Sequence, residues 1–167
     1  IPIVMVASRM LLDKGICEFV EAAREIKSEG GTARFVLVGD VDPDNPMTIT
    51  VSQIKSWVDE GIVEWWGKKE NMPEVFSQVH IVSLPSYAEG LPKVLIEASA
   101  CGRPIVTTDV SGCRDTIVDG KNGILVPAQD SKALANAFRK LISDPQLRQR
   151  MGKAGRETAV NEFSIEI

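Results

Sequence analysis

Short β-branched runs alternate with stretches of helical period from one end of the chain to the other. Ile3 to Ala7, Arg34 to Val38, Ile62 to Trp66, His80 to Leu84, Pro104 to Thr107 and Gly123 to Val126 read as six strands. Residues 15 to 29 place Ile16, Phe19, Val20, Ala23 and Ile26 on one helical face, and Gly30-Gly31 stops that helix. Residues 48 to 60 predict a second helix, ended by Gly61, and Pro73 to Gln78 a short third. Leu91 to Cys101 predicts a helix opened by Pro92, and Arg114 to Val118 a short one ending at Asp119-Gly120. Asp130 or Ser131 caps a helix with Leu134, Phe138, Leu141 and Ile142 inward, and a last basic helix runs from about Pro145 to Asn161. Strands joined by helical crossovers predict an α/β fold, a Rossmann-like, doubly wound parallel six-stranded sheet with helices on both faces. Ligands of such a sheet bind beyond the carboxyl ends of its strands, so the loops after strands are where chemistry is sought.

The chain has 167 residues, 44% hydrophobic and 25% charged, which suits one globular domain and argues against disorder or coiled coil. Its formal net charge of −4 supplies no overall positive field for nucleic acid. Cys17, Cys101 and Cys113 have no C-x-x-C spacing and read as buried thiols of a reducing compartment. A single histidine, His80, excludes a multi-histidine metal site, and its place at a strand start reads as structural. No apolar run reaches the roughly 20 residues that span a bilayer. The opening Ile1-Pro2 has no initiator Met, so the chain is expected to be a piece of a longer protein.

Three loops carry candidate chemistry. After the first strand, Arg9 and Lys14 stand five residues apart ahead of a helix; they are either a clamp for a diphosphate or two solvated cations. Neither G-x-G-x-x-G nor a P-loop is present there. After the fourth strand, Glu89 stands at a turn and Glu97 among Leu95, Ile96 and Ala98, a setting in which an ionised carboxylate wants a ligand or a buried cation. The amides of Gly90 and Leu91, ahead of Pro92, are expected to form an anion site. The alternative makes Glu89 an exposed turn residue and Glu97 half of an internal salt bridge. After the second strand, Asp40-Val41-Asp42 is either a D-x-D holding a metal against a diphosphate or plain turn chemistry, and Asn45 and Val51 rule out a calcium loop. Trp57, Trp65 and Trp66 read as packing, with Trp66-Gly67-Lys68 able to line a base pocket. Six cations between Arg139 and Arg156 offer a solvated face or a membrane-surface one.

Arg9-x4-Lys14, Gly39, Glu89-x7-Glu97 within EGLPKVLIEASACGRPIVTTD, Ser111-Gly112 and Asp119-Gly120-Lys121-Asn122-Gly123 together resemble the C-terminal, donor-binding half of a family 4 retaining glycosyltransferase of the GT-B fold. The resemblance implies that Arg9 and Lys14 neutralise the donor diphosphate, that Glu89 lies by the donor sugar and that Glu97 takes the ribose hydroxyls. It further implies that the amides of Gly90 and Leu91 bind phosphate, that Trp66 to Lys68 meet the base, and that no metal or other cofactor is needed. GDVDPDNP, PSYAEGLPK and SGCRD are most similar to the bacterial branch that extends polyprenyl-diphosphate-linked sugars in O-antigen or protein-glycan assembly. That branch implies a UDP-sugar donor, UDP-GalNAc first, a lipid-linked acceptor bound by an N-terminal domain absent from this chain, and work at the cytoplasmic face of the inner membrane with peripheral contact to it. Ala88 departs from the Arg common in that branch. Family members continue beyond Phe163-Ser164 into a helix returning to the acceptor domain. A sugar-nucleotide 2-epimerase of the same architecture is the alternative enzyme class.

Overall fold

The computed structural model describes residues 1–162, so Phe163 and Ser164 lie outside the described residues. Six strands, β1 (Ile3–Ala7), β2 (Arg34–Val38), β3 (Glu64–Gly67), β4 (Ile81–Leu84), β5 (Ile105–Thr108) and β6 (Gly123–Val126), pair in parallel in the order β3-β2-β1-β4-β5-β6. This is the dinucleotide-fold order, with the winding reversed between β1 and β4. The helices are α1 (Ile16–Ser28), α2 (Val51–Asp59), α3 (Met72–Gln78), α4 (Lys93–Ala100), α5 (Ser111–Arg114), α6 (Ser131–Ser143) and α7 (Pro145–Glu162).

Two apolar layers sandwich the sheet, as a parallel sheet buried on both faces requires. One joins α1, α2 and α6 to the sheet around Phe19, Phe35 and Phe138, whose rings meet edge to face at 5.6 Å (Phe19 and Phe138) and 5.9 Å (Phe19 and Phe35). The other joins α3 and α4 around Phe76, Leu95 and Ile117. Side-chain oxygens of Thr50, Asn71 and Asp130 accept the first free amides of α2, α3 and α6. Arg139 on α6 reaches across to Glu25 (2.8 Å) and Glu29 (2.6 Å) of α1. Helix α7 sends Leu147 and Met151 into the first layer and lays Gly152 so close to Gly102 that a β-carbon there would lie 2.1 Å from the Gly102 carbonyl oxygen.

Three boundaries differ from the sequence expectation. A 3-10 turn at Leu12–Lys14 precedes α1, β3 runs two residues later than expected, and α5 forms at Ser111–Arg114, ahead of Arg114 to Val118. The last shift has a packing cause: Gly112 lies against the Glu89-Gly90 backbone, and its amide donates to the Glu89 carbonyl at 3.2 Å, which fixes the helical turn there.

The carboxyl end of β1 is held by two close approaches. Gly39, at φ 143°, faces the Ser8 carbonyl, where a β-carbon would sit 1.7 Å from the oxygen. Gly15, at φ 75°, faces Pro85, where a β-carbon would sit 1.9 Å from the oxygen. Both combine left-handed backbone with no room for a side chain. Gly15→Ala is therefore expected to destabilise the fold by about 3 kcal/mol, against about 1 kcal/mol for Gly30→Ala, which shares a positive φ but faces open space; urea unfolding midpoints compare the two. His80 supplies a pH dependence. Burial, Arg148 and Arg103 hold its imidazole below the ordinary value of 6.5, so the unfolded chain takes up this proton first. Stability is thus expected to fall as pH drops below about 6.5, and His80→Gln to flatten that part of the profile in thermal melts.

Candidate functional site

Hydrogen bonds between successive loops tie the carboxyl ends of β1, β2 and β3 together. The Ser8 amide donates to Val38 (3.0 Å), Met10 to Asp40 (2.9 Å) and Gly39 to Gly67 (2.8 Å), while the Trp65 indole donates to the Gly39 carbonyl at 2.8 Å. Gly39 and Gly67 take positive φ, which lets the backbone turn sharply at these strand ends. Between these loops and α4 opens a cleft of about 560 Å³, a volume suited to a small-molecule ligand. Its walls are Ala7 to Arg9 from β1, Val38 to Asp42 from β2, Lys68, Lys69 and Met72 from the β3 end, and Lys93, Val94 and Glu97 from α4.

The electrostatics of this cleft are asymmetric. Four cations, Arg9, Lys68, Lys69 and Lys93, face three carboxylates, in a chain whose overall charge is −4. Arg9, 62% exposed, donates to Asp42 at 2.9 Å, and the Asp42 amide donates to Thr48 at 3.0 Å, which holds that carboxylate in its turn. Among the described residues Lys68, Lys69 and Lys93 have no carboxylate partner. Lys93 opens α4, where the helix dipole disfavours a cation unless an anion stands nearby. Sequence reasoning did not single out Lys93 or Lys69; a lysine directly after Pro92 at a helix start was the available signal for the first.

Glu97 corrects an expectation. It is exposed and has neither a buried cation nor a salt bridge among the described residues, because α4 turns Leu95, Ile96, Ala98 and Ser99 inward and leaves Lys93 and Glu97, one turn apart, on the cleft side. Glu89 is not an exposed turn residue either. Its side chain is only 12% exposed and accepts from Lys14 at 2.8 Å and from the buried Ser86 hydroxyl at 2.7 Å. The Ser86 carbonyl in turn accepts from the Thr108 hydroxyl at 2.6 Å, and the Tyr87 amide donates to the Asp13 carbonyl at 2.9 Å. The Tyr87 hydroxyl donates to Glu18, and burial together with that carboxylate pushes its pKa up. Lys14 and Glu89 thus form a neighbouring ion-paired cluster beside α1 rather than a wall of the cleft.

The remaining candidates separate. Gly90 lies over α5, neither it nor Leu91 lines the cleft, and the Lys93 amide already donates to the Leu91 carbonyl at 2.9 Å. Trp66 turns into the second apolar layer and a smaller depression beside α3, so of Trp66, Gly67 and Lys68 only Lys68 reaches the cleft wall. Asp40 accepts from the Val41 amide and Asp42 from Arg9, the behaviour of a turn, and no group of three metal-capable side chains forms among the described residues. The three cysteines are free, and burial pushes all three thiols up in pKa. Asn122 is buried, accepting from the Val118 amide and donating to the Thr116 carbonyl, a structural part of the Asp119 to Gly123 motif. Of the six cations between Arg139 and Arg156, two serve the fold. Arg139 ties α6 to α1, and Arg148 donates to the Leu141 and Ile142 carbonyls at the end of α6.

Residues 1–144 match the model of the family described as glycosyl transferases group 1. The chain belongs to the group 1 glycosyl transferases. Among curated members of this family, the N,N'-diacetylbacillosaminyl-diphospho-undecaprenol alpha-1,3-N-acetylgalactosaminyltransferase of Campylobacter jejuni is 34% identical over 159 residues, 95% of this chain and 40% of that protein. Among solved structures, sucrose-phosphate synthase from Thermosynechococcus elongatus superposes with a TM-score of 0.84 at 33% identity, over 95% of this chain and 40% of that one. Anabaena HepE in complex with UDP-glucose shares the fold at 23% identity and a TM-score of 0.85, over 96% of this chain and 44% of its own. The chain thus spans about two-fifths of the length of the relatives it matches, and its sheet is the Rossmann-like half of a GT-B glycosyltransferase.

The Lys14 to Glu89 pair is mostly buried, so removing one partner leaves the other charge without compensation. Lys14→Met and Glu89→Gln are each expected to cost about 2 kcal/mol in urea unfolding, with the double variant costing less than the two added together.

Proposed function

We propose that this chain is the donor-binding half of a retaining glycosyltransferase that takes an N-acetylhexosamine, GalNAc first, from a UDP donor. The observation that carries the reading is the cation-lined cleft at the reversal of winding, with an exposed carboxylate on its α4 wall. Diphosphates need several donors and positive charge, whereas ribose hydroxyls need an acceptor, and the cleft offers both kinds. Arg9, Lys68, Lys69 and Lys93 hold the diphosphate and stabilise its charge as the sugar leaves; Glu97 takes the ribose hydroxyls. Lys14 and Glu89 stand beside the donor sugar, each keeping the other in place, and the Gly90 to Leu91 turn bounds that side. No metal is required in this reading, because fixed cations do the work of charge neutralisation.

The acceptor in this reading is a polyprenyl-diphosphate-linked saccharide of O-antigen or protein-glycan assembly, bound by an N-terminal domain across the cleft. The Campylobacter relative, a diacetylbacillosaminyl-diphospho-undecaprenol N-acetylgalactosaminyltransferase, supports that class of acceptor, and HepE with bound UDP-glucose supports the uridine donor. Exposed apolar side chains on loops at the carboxyl rim, Leu12, Met47 and Leu91, suit a facing domain. Exposed Lys140, Arg150, Lys153 and Arg156 suit peripheral contact with an anionic membrane, and the enzyme works at the cytoplasmic face of the inner membrane.

Calorimetric titration with UDP, GDP and UDP-GalNAc, with and without Mg²⁺, tests the reading. Binding that favours UDP and ignores Mg²⁺ is expected, with Arg9→Ala and Glu97→Gln each weakening it about tenfold. Affinity unchanged in both variants removes the assignment of this cleft, and strict dependence on Mg²⁺ moves the site to Asp40 and Asp42. With the acceptor half present, transfer to lipid-linked saccharide with retention of configuration is expected. Turnover of UDP-GlcNAc without acceptor would instead identify a 2-epimerase.

A further inference from the structure

At the opposite pole of the sheet, beyond the amino ends of β4 and β5, lies a second cavity of about 320 Å³. His80, Arg103 and Arg148 line it together with Gln149 and the first residues of α7, and among the described residues no carboxylate does. The Arg103 guanidinium makes no hydrogen bond or ion pair among the described residues, and its buried Nε has no partner. A buried guanidinium donor without an acceptor costs free energy that a ligand would recover. Arg148 spends one nitrogen on the Leu141 and Ile142 carbonyls, at 2.6 and 2.9 Å, which fixes the guanidinium and leaves its other donors without partners among the described residues.

His80 adds a third donor. The Ile3 amide donates to its Nδ1 at 3.0 Å, so the neutral ring must carry its proton on Nε2, the other edge of the imidazole. Arg103 and Arg148 place positive charge beside that ring. Several N–H donors and no acceptor charge on one cavity is a chemistry matched by a compact anion with oxygens on every side.

We propose that this cavity is a second ligand site, for a phosphate-type oxyanion, built from Arg103, Arg148 and His80. It is independent of the donor cleft, which stands at the other end of the strands. The oxyanion has two sources, a soluble phosphate ester or the headgroup of an anionic lipid.

The chain has one histidine, so the imidazole proton resonance of His80 reports on this cavity without assignment work. Its pH titration is followed by proton NMR in inorganic phosphate and in sodium chloride of matched ionic strength. Phosphate is expected to raise the midpoint by about one pH unit, because a bound anion favours the charged ring. Arg103→Gln and the exposed, size-conserving Gln149→Glu are each expected to abolish the difference while the melting temperature holds. Equal midpoints in the two salts, or a difference that survives both variants, overturn the proposal. Sedimentation with phosphatidylglycerol but not phosphatidylcholine vesicles, competed by phosphate and lost in both variants, assigns the oxyanion to a lipid. A phosphate response without sedimentation assigns it to a soluble ester.

Discussion

The closed end of β1 is the constraint on which the rest depends. Two backbone segments approach it to distances no side chain permits: Gly39 lies against Ser8 on one side, and Gly15 against Pro85 on the other. Their positive φ values let the β2 and β1 loops fold inward rather than splay. Once Gly15 sits on Pro85, the Tyr87 amide meets the Asp13 carbonyl and Lys14 meets Glu89. Once Gly39 sits on Ser8, Arg9 falls within reach of Asp42 and the Trp65 indole caps the Gly39 carbonyl. The cleft and its neighbouring ion pair are therefore consequences of backbone proximity first and of side-chain charge second.

Much of this was legible in the sequence. The six strands announce themselves because parallel strands buried on both faces need apolar β-branched residues with little alternation, as in Ile3 to Ala7. The cap at Asp130 was equally readable, since a short acidic side chain before an amphipathic run has few other uses. What escaped reading depended on tertiary facts. Glu97 looks buried when judged by its neighbours in sequence, yet its helical face places it with Lys93 toward the cleft. Trp66 looks like a strand-end pocket residue, yet the sheet registers it against the second apolar layer. The start of α5 was set by the contact of Gly112 with Gly90 and Glu89, 22 and 23 residues away, which no local pattern encodes.

Net charge proved a poor guide to local field. The chain as a whole is acidic, but several of its acids are spent on cations of neighbouring elements. Glu25 and Glu29 hold Arg139, and Glu64 holds Arg34. Cations without carboxylate partners among the described residues stand at both the carboxyl and the amino pole of the sheet. A parallel sheet concentrates unused polarity at its two ends, and side-chain charge has followed that geometry.

The pairing of Arg9 with Asp42 also sets a condition on how this wall takes a ligand. Arg9 already has a carboxylate at hydrogen-bond distance, so a solute recruits it only by replacing Asp42, whereas Lys68, Lys69 and Lys93 have no such partner to give up among the described residues. A compact group with two or more negative charges engages several of these cations at once, and that gain offsets the exchange at Arg9. A lone carboxylate has too little charge to do both, so the wall favours solutes that carry charge in dense form.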